Sequence, residues 1–294
     1  MNVGDTSPNL PTKVGVIGGG RMGAGIAHAF VISGVDVVVV ERDAGSAAAA
    51  WDRIAAGISV SVARKVVVAT ERDLLRQVRV STDYVDLADR DLVIEAVPEV
   101  WEFKRAALEA IEAVIPTNSY MATNTSSMSI DQLANLLSGP ERFLGLHFFN
   151  PVPASSLVEI VVGERTDAPL VRTAELWVQA LGKSPIVVRD SPGFASSRLG
   201  VMLALEAMRM LEEGVASAAD IDTAMVLGYR HPTGPLHTTD LVGLDVRLDI
   251  ANYLHSTLGE RFAPPRVLRD KVANGELGRK TGEGFFSWND APPA

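Results

Sequence analysis

The sequence of 294 residues contains no cysteine. Disulfides, thiolate metal sites and a cysteine nucleophile are therefore excluded, and nothing indicates an oxidising compartment. Basic residues are also in the minority, with 27 lysines and arginines against 36 aspartates and glutamates. The net charge of −9 disfavours nucleic acid as a partner, because neutralising phosphates needs a basic surface. It still allows a local basic pocket for a small anion.

Long apolar runs are missing as well. No stretch of the sequence reaches the length of a membrane span, and residues 1–10 lack the basic start and apolar run of a signal peptide. We therefore expect a cytoplasmic protein with no membrane partner. The HExxH pattern of zinc enzymes and the GxSxG elbow of serine hydrolases are also absent, so neither a metal nor a hydrolase function is expected.

The pattern of apolar residues predicts the fold class. Short apolar runs alternate with helical periodicity as far as residue 188, which indicates an α/β fold with a Rossmann-type, doubly wound, mostly parallel sheet. Beyond residue 191 only helical periodicity remains. We predict a disordered lead-in over 1–12, a Rossmann-type domain over 13–189 and an all-helical C-terminal domain over 190–294. An Ala-rich helix is expected over 44–68, and His231 and His237 are placed in one loop.

A glycine-rich turn provides the first functional signal. Gly18, Gly20 and Gly23 follow a predicted strand and open a predicted helix, in the GxGxxG pattern that binds a dinucleotide pyrophosphate at a helix N-terminus. Glu41 ends the next strand, where a carboxylate accepts hydrogen bonds from a ribose diol and disfavours a 2′-phosphate. NAD is therefore predicted over NADP, although the adjacent Arg42 could weaken that preference. The alternative is a glycine turn that binds no nucleotide.

The second signal lies between residues 124 and 159. His147 stands in an apolar run, and Glu159 stands in the next run after a proline-containing connection. Histidine exchanges protons near neutral pH, and a carboxylate partner fixes its tautomer. The pair is thus a candidate for the proton-transfer half of a hydride-transfer enzyme. The alternative is that His147 is a core residue whose hydrogen bonds are satisfied.

Several other polar residues allow two interpretations. Glu95 ends a predicted strand at the ligand-binding edge of the sheet, or it only caps a turn. Glu99 and Lys104 contact a ligand, or they form an ordinary surface pair. The hydroxyls of Ser126 and Ser127 bind a substrate oxygen, or they cap the helix that begins near residue 130.

The motifs together resemble the L-3-hydroxyacyl-CoA dehydrogenase family, which includes the bacterial 3-hydroxybutyryl-CoA dehydrogenases. The resemblance covers residues 13 to 288 and rests on segments that occur in order: NTSS, GLHFFNPVP, DSPGF, DIDTAMVLG, PTGP, DLVGLD and GRKTGEGFF. It implies an NAD-binding N-terminal domain, a helical C-terminal domain that forms a homodimer, and an acyl-CoA substrate. The active site would lie in the cleft between the domains.

The resemblance also implies roles for individual residues. His147 would be the general acid/base, Glu159 would orient it, and Ser126 would bind the substrate oxygen. Ser197 would be the fourth catalytic residue. The remaining contacts with NAD would come from a set spread along the chain: Met22, Arg42, Ala96, Val97, Glu99, Lys104, Asn124, Ser126, Asn150 and Lys280. Ser197 departs from the family, which carries asparagine at that place in GFxxNR where this chain reads GFASSR. Gly57 and Arg64 fall where many relatives carry the serine and lysine that meet the CoA phosphates. Arg64 could still pair with a phosphate, and Lys65 is its neighbour.

We predict from this an NAD-dependent oxidoreductase that interconverts (S)-3-hydroxyacyl-CoA and 3-oxoacyl-CoA, with a short acyl chain such as 3-hydroxybutyryl. Two alternatives remain open. A dehydrogenase of a free hydroxy acid, similar to L-gulonate 3-dehydrogenase, would share the fold and the histidine–glutamate pair. A non-catalytic NAD-binding protein would explain the altered residue at Ser197 but not the retention of His147 and Glu159.

Overall fold

The computed structural model describes residues 10–288, and the packing divides the chain into two units. Unit 1 ends at Asp190, and unit 2 begins at Ser191. Of the disordered lead-in predicted over 1–12, residues 1–9 lie outside the described residues.

Unit 1 is built on one sheet of eight strands in the order β3-β2-β1-β4-β5-β6-β7-β8. The strands are β1 (Lys13–Ile17), β2 (Asp36–Val40), β3 (Val78–Ser81), β4 (Leu92–Glu95), β5 (Tyr120–Thr123), β6 (Phe143–Phe148), β7 (Leu157–Val162) and β8 (Ser184–Arg189). All neighbours are parallel except β6 and β7. The prediction of a doubly wound, mostly parallel sheet is confirmed. Its strand order reverses between β1 and β4, the place where ligands bind in such sheets.

The described part of unit 1 has six α-helices beside the sheet: α1 (Arg21–Ile32), α2 (Ala44–Ala63), α3 (Glu71–Leu75), α4 (Trp101–Val114), α5 (Ile130–Ala134) and α6 (Ala168–Ala180). The core lies where α1 and α2 cover the central strands, and β2 is almost wholly apolar because it is covered on both faces.

The prediction of a helix over 44–68 is wrong at its end, because α2 stops at Ala63. Lys65 adopts a left-handed φ of 55°, which turns the chain out of the helix. The valines that follow are β-branched and exposed, Val66 by 64% and Val68 completely, so neither propensity nor packing would extend the helix.

Unit 2 contains five α-helices within its described part: α7 (Ser196–Glu212), α8 (Ala218–Thr223), α9 (Pro235–Val242), α10 (Leu244–Leu258) and α11 (Arg266–Ala273). The all-helical prediction is confirmed, but placing His237 in a loop was wrong, since it lies in α9. Pro235 occupies the first turn, where a missing N–H costs nothing, and the Asp222 carboxylate accepts the N–H groups of Leu236 and His237 at 2.9 and 2.8 Å. Because α8 supplies this cap, the residues next to His237 in the sequence do not indicate that a helix begins there.

The longest helix of the described residues, α2, has 20 residues. Neither α2 nor any other helix within residues 10–288 combines the length and the apolar character needed to cross a membrane.

Candidate active site

His147 and Glu159 occupy paired positions on the antiparallel strands β6 and β7. Residues directly opposite each other on such strands project to the same face of the sheet, which brings the two side chains together. The His147 Nδ1 lies 2.7 Å from the Glu159 Oε2, and the two side chains are 8% and 0% exposed. A buried carboxylate at this distance fixes the ring orientation and favours the tautomer that carries its proton on Nδ1.

The connection between β6 and β7 is held in place by two side chains. Asn124 accepts the backbone N–H of Phe148 through its Oδ1 at 2.9 Å. The Lys183 ammonium donates to the carbonyl oxygens of Val152 and Ser155 at 2.7 and 2.6 Å, and burial lowers the pKa of this lysine. No sequence pattern distinguishes Lys183, because its partners are main-chain carbonyls.

The NTSS segment is organised by Glu99. Its Oε1 accepts the backbone N–H groups of Ser126 and Ser127, both at 3.1 Å, and the hydroxyl of Ser127 at 2.9 Å. Burial alone would raise the pKa of Glu99, but the charge of Lys104 and the hydroxyl of Thr125 outweigh it, so that the pKa is lowered. Glu99 is thus a carboxylate that shapes the loop.

Neither of the two candidate serines caps α5. Ser129 does so, its hydroxyl accepting the N–H of Gln132 at 3.2 Å. Within residues 10–288 the Ser126 hydroxyl has no hydrogen-bond partner, whereas that of Ser127 is bound to Glu99. The cap explanation therefore does not account for Ser126, whose half-exposed hydroxyl is left without a protein partner among the described residues.

Lys104 and Glu95 form a buried ion pair. The Lys104 ammonium lies 2.9 Å from the Glu95 Oε1 and 3.1 Å from the Glu99 Oε2, and the side chains of Lys104 and Glu95 are 1% and 0% exposed. Glu95 also accepts the hydroxyl of Thr123 at 2.6 Å and the N–H of Val97 at 2.7 Å. The surface-pair interpretation of Lys104 is therefore wrong. The ion pair joins α4 to the end of β4.

The three glycines of the GxGxxG turn are needed for different reasons. Gly18 has a left-handed φ of 88°, and a Cβ on Gly23 would lie 1.7 Å from the Gly18 carbonyl oxygen, so the folded chain itself requires both. Gly20 has an ordinary φ of −61° and nothing within 4 Å of a built Cβ. The fold does not require glycine at position 20, but a ligand that approaches the backbone there does.

The surroundings of this turn fit a dinucleotide. No side chain of the described residues caps the N-terminus of α1, so the N–H groups of its first turn remain free beside Gly20. Met22 lies in this first turn. The backbone of Ala96 and Val97 lies against Gly18, where a Cβ would be 2.9 Å from the Ala96 carbonyl oxygen. Glu41 is oriented by the Gly19 N–H at 2.6 Å and keeps lone pairs for a ribose diol. Arg42 is exposed and pairs with Asp43 at 3.0 Å.

The remaining predicted site residues lie at the end of α2, in the connection that follows β6, and in unit 2. Arg64 and Lys65 are exposed at the end of α2, and Asn150 is exposed at the start of the β6–β7 connection. In unit 2, Ser197 is half-buried in the first turn of α7, and the Lys280 ammonium binds the Asp245 carboxylate at 2.5 Å.

Of the other histidines, His28 is buried in α1. Its Nε2 lies 2.8 Å from the Ser61 hydroxyl, which is a structural role.

A glycine turn at the switch point of a Rossmann-type sheet, an acid at the end of β2 and a buried histidine–carboxylate pair define an NAD-dependent oxidoreductase. Comparison with known proteins agrees. Residues 13–191 match the NAD-binding domain of 3-hydroxyacyl-CoA dehydrogenase, and residues 193–288 match its C-terminal domain. The chain belongs to the 3-hydroxyacyl-CoA dehydrogenase family.

Relatives of similar length support this membership. The chain is 40% identical to a 3-hydroxybutyryl-CoA dehydrogenase of Bradyrhizobium diazoefficiens over 283 residues, which are 96% of this chain and 97% of the relative. A 3-hydroxybutyryl-CoA dehydrogenase of Mycobacterium tuberculosis is 40% identical over 280 residues, covering 94% and 98%. The crystal structure of an (S)-3-hydroxybutyryl-CoA dehydrogenase from Ralstonia eutropha superposes with a TM-score of 0.89 at 37% identity, covering 95% and 99%.

Proposed function

We propose that this protein interconverts (S)-3-hydroxyacyl-CoA and 3-oxoacyl-CoA with His147 as the general acid/base, and that the acyl chain is short, as in 3-hydroxybutyryl-CoA. The observation that carries the proposal is the buried contact of 2.7 Å between the His147 Nδ1 and the Glu159 Oε2. The family of the chain and the names of its relatives support the substrate class.

The roles of the residues follow from this contact. Because Nδ1 faces Glu159, His147 exchanges protons with the substrate through Nε2, taking the proton of the 3-hydroxyl during oxidation. Glu159 stabilises the imidazolium that results. Bound NAD would supply the acceptor for the hydride that leaves the carbon bearing this hydroxyl. The Ser126 hydroxyl donates to the developing oxygen, and the hydroxyl of Ser197 serves the substrate oxygens where the family pattern has asparagine.

An assay of substrate range tests this function directly. We expect NADH-dependent reduction of 3-oxoacyl-CoA thioesters when a series of graded chain length is compared, with no reduction of the corresponding free 3-oxo acids. A higher kcat/KM on the free acids would instead support the dehydrogenase of a free hydroxy acid. An absence of turnover on every member would support a non-catalytic NAD-binding protein.

Glu41 is predicted to set the preference for NAD. Replacing Glu41 with alanine removes the ribose contact, so we expect NAD to bind about tenfold to a hundredfold more weakly and the discrimination against NADP to fall by a similar factor. Dissociation constants for both nucleotides measure this. Asp52→Ala, an exposed acid in α2, is the matched control and should leave both constants unchanged. An unaltered NAD-to-NADP ratio in the Glu41 variant would refute the ribose contact.

We also propose that the protein is a cytoplasmic homodimer that associates through unit 2. Large apolar side chains exposed on the surface of this unit support the proposal, because the interfaces of homodimers are richer in apolar groups than the rest of a protein surface. They are between 38% and 76% exposed and comprise Leu199, Val215, Leu227, Tyr229, Leu241, Val242 and Val246.

A further inference from the structure

Arg247 is a buried cation that no part of the proposed reaction uses. It lies in α10 and is 6% exposed, and its Nε has no hydrogen-bond partner among residues 10–288. Burial lowers the pKa of Arg247 to about 10, with no nearby acid acting in the opposite direction. The side chain nevertheless remains charged at neutral pH, and a buried charge without a partner is costly.

The acids closest in sequence do not neutralise Arg247. Asp245 is bound to the Lys280 ammonium at 2.5 Å, and Asp249 is exposed. Both stand two positions from Arg247, a spacing that points side chains to different sides of a helix. The guanidinium is therefore available for an anion that does not belong to α10.

Gly200 of α7 lies beside this guanidinium. A Cβ built on Gly200 would lie 3.6 Å from the Arg247 Nη1, which is an ordinary contact, so only a side chain longer than that of alanine would crowd the charged head. Glycine in the interior of a helix lowers the stability of that helix, so Gly200 is unfavourable for α7 itself. Because Gly200 carries no side chain, the charged head lies next to the backbone of α7.

The position of Gly200 relates Arg247 to the substrate. Gly200 and Ser197 are three residues apart in α7 and so share a face, about 4.5 Å apart along the helix axis. Under the proposed function, Ser197 serves the oxygens of the substrate. A group that extends from there along the helix face by a few carbon atoms reaches the neighbourhood of the guanidinium.

The geometry points to a carboxylate as the ligand of Arg247: we propose that the acyl chain of the substrate ends in a carboxylate, so that the enzyme acts on 3-hydroxy dicarboxylic acyl-CoA thioesters. This rests on the reaction of the proposed function, and it replaces the short 3-hydroxybutyryl chain with a longer acyl chain that ends in a carboxylate. The planar guanidinium binds a carboxylate through two parallel hydrogen bonds. Only the slender end of an acyl chain can reach a side chain that is so little exposed, which disfavours the bulky phosphates of CoA. A free hydroxy acid could supply the same chemistry.

Two substrates of equal chain length test the proposal, 3-oxoadipyl-CoA and 3-oxohexanoyl-CoA, which differ in the carboxylate. We expect the wild-type protein to reduce 3-oxoadipyl-CoA with a kcat/KM at least about tenfold higher. Arg247→Met should lower that value by about tenfold to a hundredfold and leave the value for 3-oxohexanoyl-CoA equal or higher. Arg266→Met, in an exposed pair with Asp270 at 3.0 Å, is the matched control and should change neither.

A second variant covers the case in which Arg247→Met fails to fold. Gly200→Leu keeps the charge but fills the space beside it, and it should remove the preference for 3-oxoadipyl-CoA in the same way. A wild-type preference for 3-oxohexanoyl-CoA, or variants that lower both kcat/KM values equally, would overturn the inference and leave Arg247 a structural residue.

Failure of the proposed function gives a different result. If neither thioester is reduced, and free 3-oxoadipate is reduced in an Arg247-dependent manner, then the carboxylate role of Arg247 holds and the CoA substrate is wrong. If nothing is reduced with or without CoA, both proposals are wrong.

Discussion

Replacing His147 with glutamine is expected to lower kcat for 3-oxoacyl-CoA reduction by about a thousandfold, while NADH binding stays within about twofold of wild type. Glutamine can still reach toward Glu159 but cannot carry a proton between substrate and solvent. The fold should remain intact, because only one polar group is exchanged for another. Steady-state rates and a fluorescence titration with NADH separate the two effects.

The protein contains its own control for this experiment. His255 and Glu260 in unit 2 form a second histidine–glutamate contact of 3.1 Å, but their side chains are 37% and 91% exposed. His255→Gln should therefore leave both kcat and NADH binding unchanged. If His147→Gln keeps more than about a tenth of the wild-type kcat, general acid/base catalysis by His147 is refuted.

Replacing Lys104 with methionine is expected to lower the free energy of unfolding by about 3–5 kcal/mol. The substitution leaves the Glu95 carboxylate, which is fully buried, without its cation. For a domain of this size the Tm of unit 1 should fall by about 10 °C, and thermal unfolding followed by circular dichroism measures it. NADH binding should weaken as well, because the Glu95–Lys104 pair holds the end of β4 beside the glycine turn.

An exposed ion pair provides the comparison. Lys13 contacts Asp89 at 2.6 Å, with side chains that are 43% and 55% exposed, so Lys13→Met should cost less than about 1 kcal/mol. Adding Glu95→Gln to the Lys104 variant should recover part of the loss, because the second change removes the unpaired charge. Equal Tm values for the Lys13 and Lys104 variants would show that burial does not strengthen this pair.

The sequence was sufficient to predict the features that depend on local periodicity. Apolar runs predicted the strands, and the loss of such runs after Asp190 predicted a helical second unit. Two apolar runs joined by a proline-containing connection also predicted that His147 and Glu159 face each other, because neighbouring strands leave few other arrangements.

The features that sequence reasoning missed depend on distant partners. The α9 helix is capped by Asp222, which lies 14 residues before Leu236. Lys104 resembles a surface lysine of an amphipathic helix until its burial against Glu95 is seen. Arg247 carries no motif at all, and only its burial beside Gly200 distinguishes it from the exposed arginines of unit 2.

The antiparallel pairing of β6 and β7 has a consequence for how this protein tolerates insertions and deletions. Side chains alternate between the two faces of a strand, so a slip of one residue would send His147 and Glu159 to opposite sides of the sheet. The connecting segment 149–156 does not set that alignment, and lengthening it by a few residues costs little closure entropy. Additions at its exposed end, near Asn150, should be accepted, whereas removing a single residue from either strand would separate the pair.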